Sequence, residues 1–153
     1  MKNSKHAFTM IELIFVVIII GILASMAVTK LGSMKNTADI ANARADVAAI
    51  RSAIFSERQR SLVRGNTGGS LYIPKLSANF STNPTTLFTG NGSRTLLTYG
   101  MKAGTGAGDW EMTADNNYTY HSDSKTTLFS YDATTGKFDC TPAPTNDCNA
   151  TAN

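Results

Sequence analysis

The chain is predicted to be an α+β protein, with a long N-terminal helix packed on a small C-terminal antiparallel sheet. Three observations carry this. An unbroken apolar run ends at Val28, a stripe of helical period follows it, and short segments separated by turn residues fill the last third. At 153 residues there is room for one globular domain beyond the helix.

Residues 8–64 read as a single helix. Positions 11–28 are apolar all round, and at 1.5 Å per residue these 18 residues span about 27 Å, near the hydrocarbon thickness of a bilayer. Gly21 falls mid-span, where a small residue permits close helix packing, and Gly32 and Ser33 are the weak points beyond it. Ile40, Val47, Ile50 and Ile54 then recur at helical spacing, with Ala43 filling the gap. Asp39, Arg44, Asp46, Arg51 and Arg58 lie off this stripe. The stripe is too short for a coiled coil, which needs three or four heptads. Arg64-Gly65-Asn66 ends the helix, with glycine as the left-handed cap.

Residues 65–94 are rich in Gly, Ser, Thr, Asn and Pro and read as a variable connection. Strands are expected at 95–101, 110–113, 118–121, 126–131 and 137–140. The last two flank Asp132-Ala133-Thr134-Thr135-Gly136, a hairpin signal with Gly where a positive φ is needed. The expected organisation is 1–7 leader, 8–29 membrane helix, 30–64 amphipathic helix and 65–153 β-rich head.

One carboxylate, Glu12, stands at the edge of the apolar run. A charge near the centre of a membrane helix costs roughly 2.5–3.5 kcal/mol on insertion scales, so such a residue is a functional candidate by default. It sits in an ordered context: basic Lys2 and Lys5 with His6, then the small Ala7, then Phe8-Thr9-Met10-Ile11-Glu12 and the apolar helix.

This arrangement resembles the class III signal of type IV pilins and type II secretion pseudopilins. Ala7 stands where the family usually has Gly, and Met10 replaces the commoner Leu. The resemblance implies that a prepilin peptidase cuts between Ala7 and Phe8 and methylates the new amino group of Phe8. It implies that Glu12 faces the N-terminal amine of a neighbouring subunit during assembly, each charge offsetting the other's burial. The implied partners are that peptidase, other pilin or pseudopilin subunits in a helical filament, and an inner-membrane assembly platform with its ATPase. The implied location is the bacterial inner membrane, single-pass, with the head in the periplasm or on an extracellular filament.

Two other readings of the segment stand beside it. Ser25-Met26-Ala27 offers small residues for an ordinary signal peptidase, although the apolar run is long for that purpose and Glu12 intrudes at its start. A plain transmembrane anchor leaves Glu12 unexplained. Lys2 and Lys5 before the span balance Lys30 and Lys35 after it, so charge alone does not orient it.

Two cysteines, Cys140 and Cys148, lie close together near the C-terminus. In an exported chain an even count reads as one disulfide, and a C-terminal disulfide loop also resembles many type IV pilins.

Charge is distributed unevenly. Residues 30–64 carry Lys30, Lys35, Arg44, Arg51, Arg58, Arg60 and Arg64 against Asp39, Asp46 and Glu57, whereas residues 65–153 are mildly acidic. A basic helix below an acidic head favours heterologous head-to-tail packing, or it is a solvated face.

No catalytic motif, P-loop or zinc signature is present, so an enzyme is not expected, and neither a cofactor nor a metal site is assigned. His121 reads as a strand-surface residue. Asp109, Asp115, Asp123 and Asp132 supply the oxygen type that calcium prefers, yet isolated turn aspartates are usually turn formers. Arg58, Arg60 and Arg64, with Arg94 and Lys102, would make a phosphate-binding patch for nucleic acid if the fold gathers them, or Arg58, Arg60 and Arg64 simply neutralise the helix C-terminus.

Two functional classes follow. One is a structural subunit of a type II secretion, type IV pilus or competence filament. The other is a filament-tip or surface binding module, an adhesin or DNA-uptake receptor.

Overall fold

The computed structural model describes residues 8–67, 71–80, 83–123, 125–141 and 148, except for the side chain of Ser33. The helix α1 runs Met10–Val63, followed by β1 (Thr86–Leu87), β2 (Met101–Lys102), β3 (Trp110–Ala114), β4 (Asn117–His121), β5 (Thr126–Asp132) and β6 (Lys137–Cys140). The chain divides into two compact units, residues 1–35 and 36–153. The fold is α+β and pilin-like: one long N-terminal helix combined with a small antiparallel sheet.

In the first unit α1 is apolar on every side, and large side chains from Met10 to Met34 are exposed. An 18-residue window of the helix has a mean hydropathy of 2.8, and none of it is buried.

In the second unit the predicted stripe is the buried face. Ala43, Val47, Ile50 and Ile54 are buried, joined by Ala53. The face is wider than its apolar residues suggested. Asp39 and Glu57 are buried too, and Asp46 is half-buried, although Asp39 and Asp46 lie off the apolar stripe. Gly65, at φ +80°, closes the helix. Its N–H bonds to the Leu62 carbonyl at 2.9 Å, and the Asn66 N–H reaches back to Ser61 at 3.1 Å, a paired capping arrangement that satisfies two terminal carbonyls.

The main sheet has the order β3-β4-β5-β6, all antiparallel neighbours, and β1 pairs with β2 in a separate ribbon. The Asp132–Gly136 turn forms as expected, with Gly136 at φ +74° and its N–H bonded to the Asp132 carbonyl at 2.7 Å. One expectation is corrected. Residues 95–100 do not form a strand, because Thr95 makes only an isolated bridge to Gly90. The connection after α1 contributes to the core: Ile73, Leu76, Leu87 and Phe88 are fully buried.

Aromatic side chains dominate that core. Phe88, held at φ +62°, lies 5.3 Å from Trp110 edge-to-face and 4.6 Å from Tyr118. Trp110 also meets Tyr120 and Phe129, and Phe129 stacks on Phe138 at 5.3 Å. Such pairs add roughly 0.5–1.5 kcal/mol each beyond simple burial. Tyr118 donates its hydroxyl to Ser77, and Tyr131 to the Ile73 carbonyl. Burial pushes the Tyr118 and Tyr120 hydroxyls up to about 12, so both remain donors across the physiological range.

Candidate functional site

The N-terminal segment owes its geometry to Thr9. The Thr9 hydroxyl accepts the Glu12 backbone N–H at 3.3 Å, and the Thr9 carbonyl accepts N–H groups from Glu12 and Leu13. Thr9 is therefore the N-cap, and Glu12 occupies the third helical position. Thr-x-x-Glu is the sequence pattern of a capping box, and that signal was legible in the chain but not used in the sequence reading. A carboxylate in the first turn is also favoured by the positive end of the helix dipole. Glu12 is exposed, Phe8 is 80 % exposed, and Phe8, Glu12, Leu13, Val16 and Val17 line a shallow depression of about 300 Å³. Ala7, the other half of the expected cleavage pair, lies outside the described residues.

The carboxylates considered for calcium are occupied otherwise. Asp109 pairs with Lys102 at 2.9 Å, and Asp115 pairs with Lys75 at 2.6 Å while accepting the Phe80 N–H. Asp132 accepts the Thr134 N–H and the Thr134 and Thr135 hydroxyls, and these bonds hold its carboxyl down at about 2. Asp123 also has a partner. Among the described residues no group of three or more His, Cys, Asp or Glu is placed to hold a metal ion.

Three of the four arginines considered for phosphate binding converge on one acid. Glu57, 1 % exposed, lies 2.8 Å from Arg94, 3.1 Å from Arg60 and 3.6 Å from Arg64. Arg94 also donates to the Tyr72 and Leu71 carbonyls, and Arg58 stands over the Tyr72 ring at 5.3 Å. Lys102 is apart from this group, on Asp109. The sequence reading passed over Glu57, although it lies three residues after Ile54 and seven after Ile50, in phase with the buried stripe.

His121 is only partly exposed and faces Glu111 across 2.8 Å. A disulfide joins Cys140 to Cys148, with Cα atoms 5.6 Å apart, and fixes residue 148 beside the end of β6.

Together the fold and the N-terminal segment define a class: a membrane-anchored, pilin-like protein with an apolar helix capped by Thr9 and carrying Glu12 in its first turn. Residues 2–28 match the prokaryotic N-terminal methylation motif, the type IV prepilin-like signal, which supports placing the chain in the type IV pilin and pseudopilin family as a prepilin-peptidase substrate. Comparison with curated proteins and with solved structures returns no match.

Proposed function

We propose that this protein is a structural filament subunit, a pseudopilin or minor pilin. The observation that carries the reading is the methylation motif at residues 2–28, set on an exposed apolar segment of α1 whose one carboxylate, up to Val28, is Glu12. Residues 1–7 are the leader and cleavage falls between Ala7 and Phe8. Phe8 is N-methylated, residues 8–29 hold the inner membrane, residues 30–64 continue as the amphipathic helix, and residues 65–153 form the head on the periplasmic side.

Within the bilayer each Glu12 pairs with the methylated amine of a neighbouring Phe8. In a low-dielectric setting two such charges attract strongly, and neither is left buried alone. That pairing sets the axial step between successive subunits, and a heterologous contact repeated in this way gives an open helical filament. A type II secretion, type IV pilus or competence machine, with its own ATPase, supplies the energy.

The test is the mass and N-terminal sequence of the protein recovered from native membranes. A chain beginning at N-methylated Phe8 supports the reading. A chain beginning at Val28 overturns it, because the assembly helix would have been removed.

A further inference from the structure

The segment Gly90-Asn91-Gly92-Ser93-Arg94 holds the chain's only asparagine followed by glycine. It forms the tip of a turn closed by the isolated bridge between Gly90 and Thr95. Gly90 and Gly92 stand at φ +99° and +84°, in the left-handed region that side chains resist. The turn is narrow, since a Cβ added at Gly90 would run into the Arg94 carbonyl.

Two bonds hold Asn91 across it. Its N–H donates to the Arg94 carbonyl at 3.3 Å, and its side-chain Oδ1 accepts the Arg94 N–H at 2.9 Å. The second bond folds the side chain back along the turn and polarises its carbonyl. A donor fixed on that oxygen stabilises the negative charge it gains when a nucleophile adds to Cγ. The nucleophile within covalent reach is the main-chain nitrogen of Gly92. Gly92 is exposed, an added Cβ would meet nothing within 4 Å, and among the described residues its N–H makes no hydrogen bond. Having no side chain, it puts no steric barrier in the way of ring closure. The other described asparagines precede residues that carry side chains, and Asn83 precedes Pro84, which has no N–H.

We propose that Asn91 is a site of spontaneous deamidation, at which the turn converts its own side-chain amide to a carboxylate. The Gly92 nitrogen gives its proton to water and bonds to Cγ of Asn91. The bond from Cγ to the amide nitrogen breaks, and ammonia leaves with a proton returned from water. Water then opens the resulting succinimide. Cleavage at Cγ leaves aspartate at position 91, whereas cleavage at the main-chain carbonyl leaves isoaspartate, with the chain rerouted through Cβ and Cγ. Either way an amide and water become a carboxylate and ammonium.

The two products differ in what they do to the head. Aspartate keeps an acceptor for the Arg94 N–H. Isoaspartate adds a methylene to the main chain inside a narrow turn, so the paired bonds to Arg94 are lost. With them goes the placement of Arg94 on Glu57, Leu71 and Tyr72. The reaction needs only the folded head and does not depend on leader removal or filament assembly.

The experiment incubates the full-length protein in detergent micelles at mildly alkaline pH beside the peptide acetyl-Gly-Asn-Gly-Ser-Arg-amide, which has the sequence without the turn. Mass-spectrometric peptide mapping follows amide loss at each asparagine. Isoaspartate is counted by methyl transfer from S-adenosylmethionine with isoaspartyl methyltransferase. Amide loss at Asn91 is expected within tenfold of the peptide's rate or faster, and at least tenfold faster than at Asn66, Asn79, Asn116 or Asn117. Asn91→Gln is expected to remove most of the isoaspartate while circular dichroism is unchanged. Fresh Asn91→Asp should keep the parental urea midpoint, whereas the midpoint of aged protein falls as isoaspartate accumulates.

Amide loss at Asn91 more than tenfold slower than in the peptide, from protein with native circular dichroism, overturns the proposal. Isoaspartate that accumulates equally in Asn91→Gln overturns it as well.

Discussion

Arg94 donates its Nε–H to Glu57 at 2.8 Å, tying the stretch before β2 to the last turns of α1 across 37 positions of sequence. The same guanidinium holds the carbonyls of Leu71 and Tyr72, so one side chain fastens the helix, the connection and the ribbon together. Arg60 and Arg64 approach Glu57 from its own helix and add positive charge near the negative end of the dipole.

Replacing Glu57 with Gln leaves the half-buried Arg94 without its counter-charge. Losing one partner of a buried ion pair costs about 3–5 kcal/mol. The expected result is a lower denaturation midpoint with an unchanged slope, measured by urea unfolding followed by circular dichroism.

Asp46 accepts the Trp110 Nε1–H at 2.9 Å, and burial raises its carboxyl above the ordinary value while that bond partly opposes the shift. Between the ordinary pKa and the raised one, the folded chain holds a proton that the unfolded chain has released. Stability therefore falls as pH rises through that window, and at lower pH, where both states are protonated, the penalty vanishes. Asp46→Asn keeps an acceptor for Trp110 and removes the charge. Its melting temperature should exceed that of the parent at pH 7 and coincide with it near pH 3.

Gly136 is doubly constrained. Its φ of +74° lies in the left-handed region, and an added Cβ would run into the Tyr72 ring. Gly136→Ala is expected to destabilise the β5–β6 hairpin by about 1–3 kcal/mol, from the backbone conformation and the displaced ring together. Faster amide exchange confined to β5, β6 and the neighbours of Tyr72 would establish the cause; equal exchange rates would refute it.

Glu12→Ala separates the two roles assigned to Glu12. Helix initiation rests on the Thr9 hydroxyl and the Glu12 backbone N–H, both of which the variant keeps. Leader removal is expected to proceed normally while incorporation into filaments falls at least tenfold, read as mature protein in membranes against protein in the sheared fraction. Parental filament yield would refute the amine–carboxylate pairing.

The helix was legible because periodicity is local. The spacing of Ala43, Val47, Ile50 and Ile54 identified the buried face, and Arg64-Gly65 identified its end. Asp39, Asp46 and Glu57 were not legible as inward residues, because polarity was allowed to outweigh phase. Their partners, Tyr120, Trp110 and Arg94, lie far along the chain.

The four main strands followed from alternation and turn residues. The short ribbon did not, since Thr86–Leu87 has no pattern of its own and exists only by pairing with Met101–Lys102. Residues 95–100 misled for the opposite reason: their composition suits a strand, but the bridge of Thr95 to Gly90 and the Leu96 and Leu97 N–H bonds to the Thr89 and Phe88 carbonyls do not extend into a ladder. At the N-terminus the capping pattern was present in the residues, whereas Ala7 is named by sequence alone.

The polar contacts between α1 and the head also determine how the molecule bears load. They fall at intervals along the helix: the Asp39 carbonyl on Tyr120, Asp46 on Trp110, Arg51 on Phe138 and Glu57 on Arg94. A pull along the helix axis meets these ties side by side rather than one after another, so tension is shared and the weakest bond does not set the limit. Peeling from either end would meet them singly. The head is thus built to resist shear and to yield to peeling.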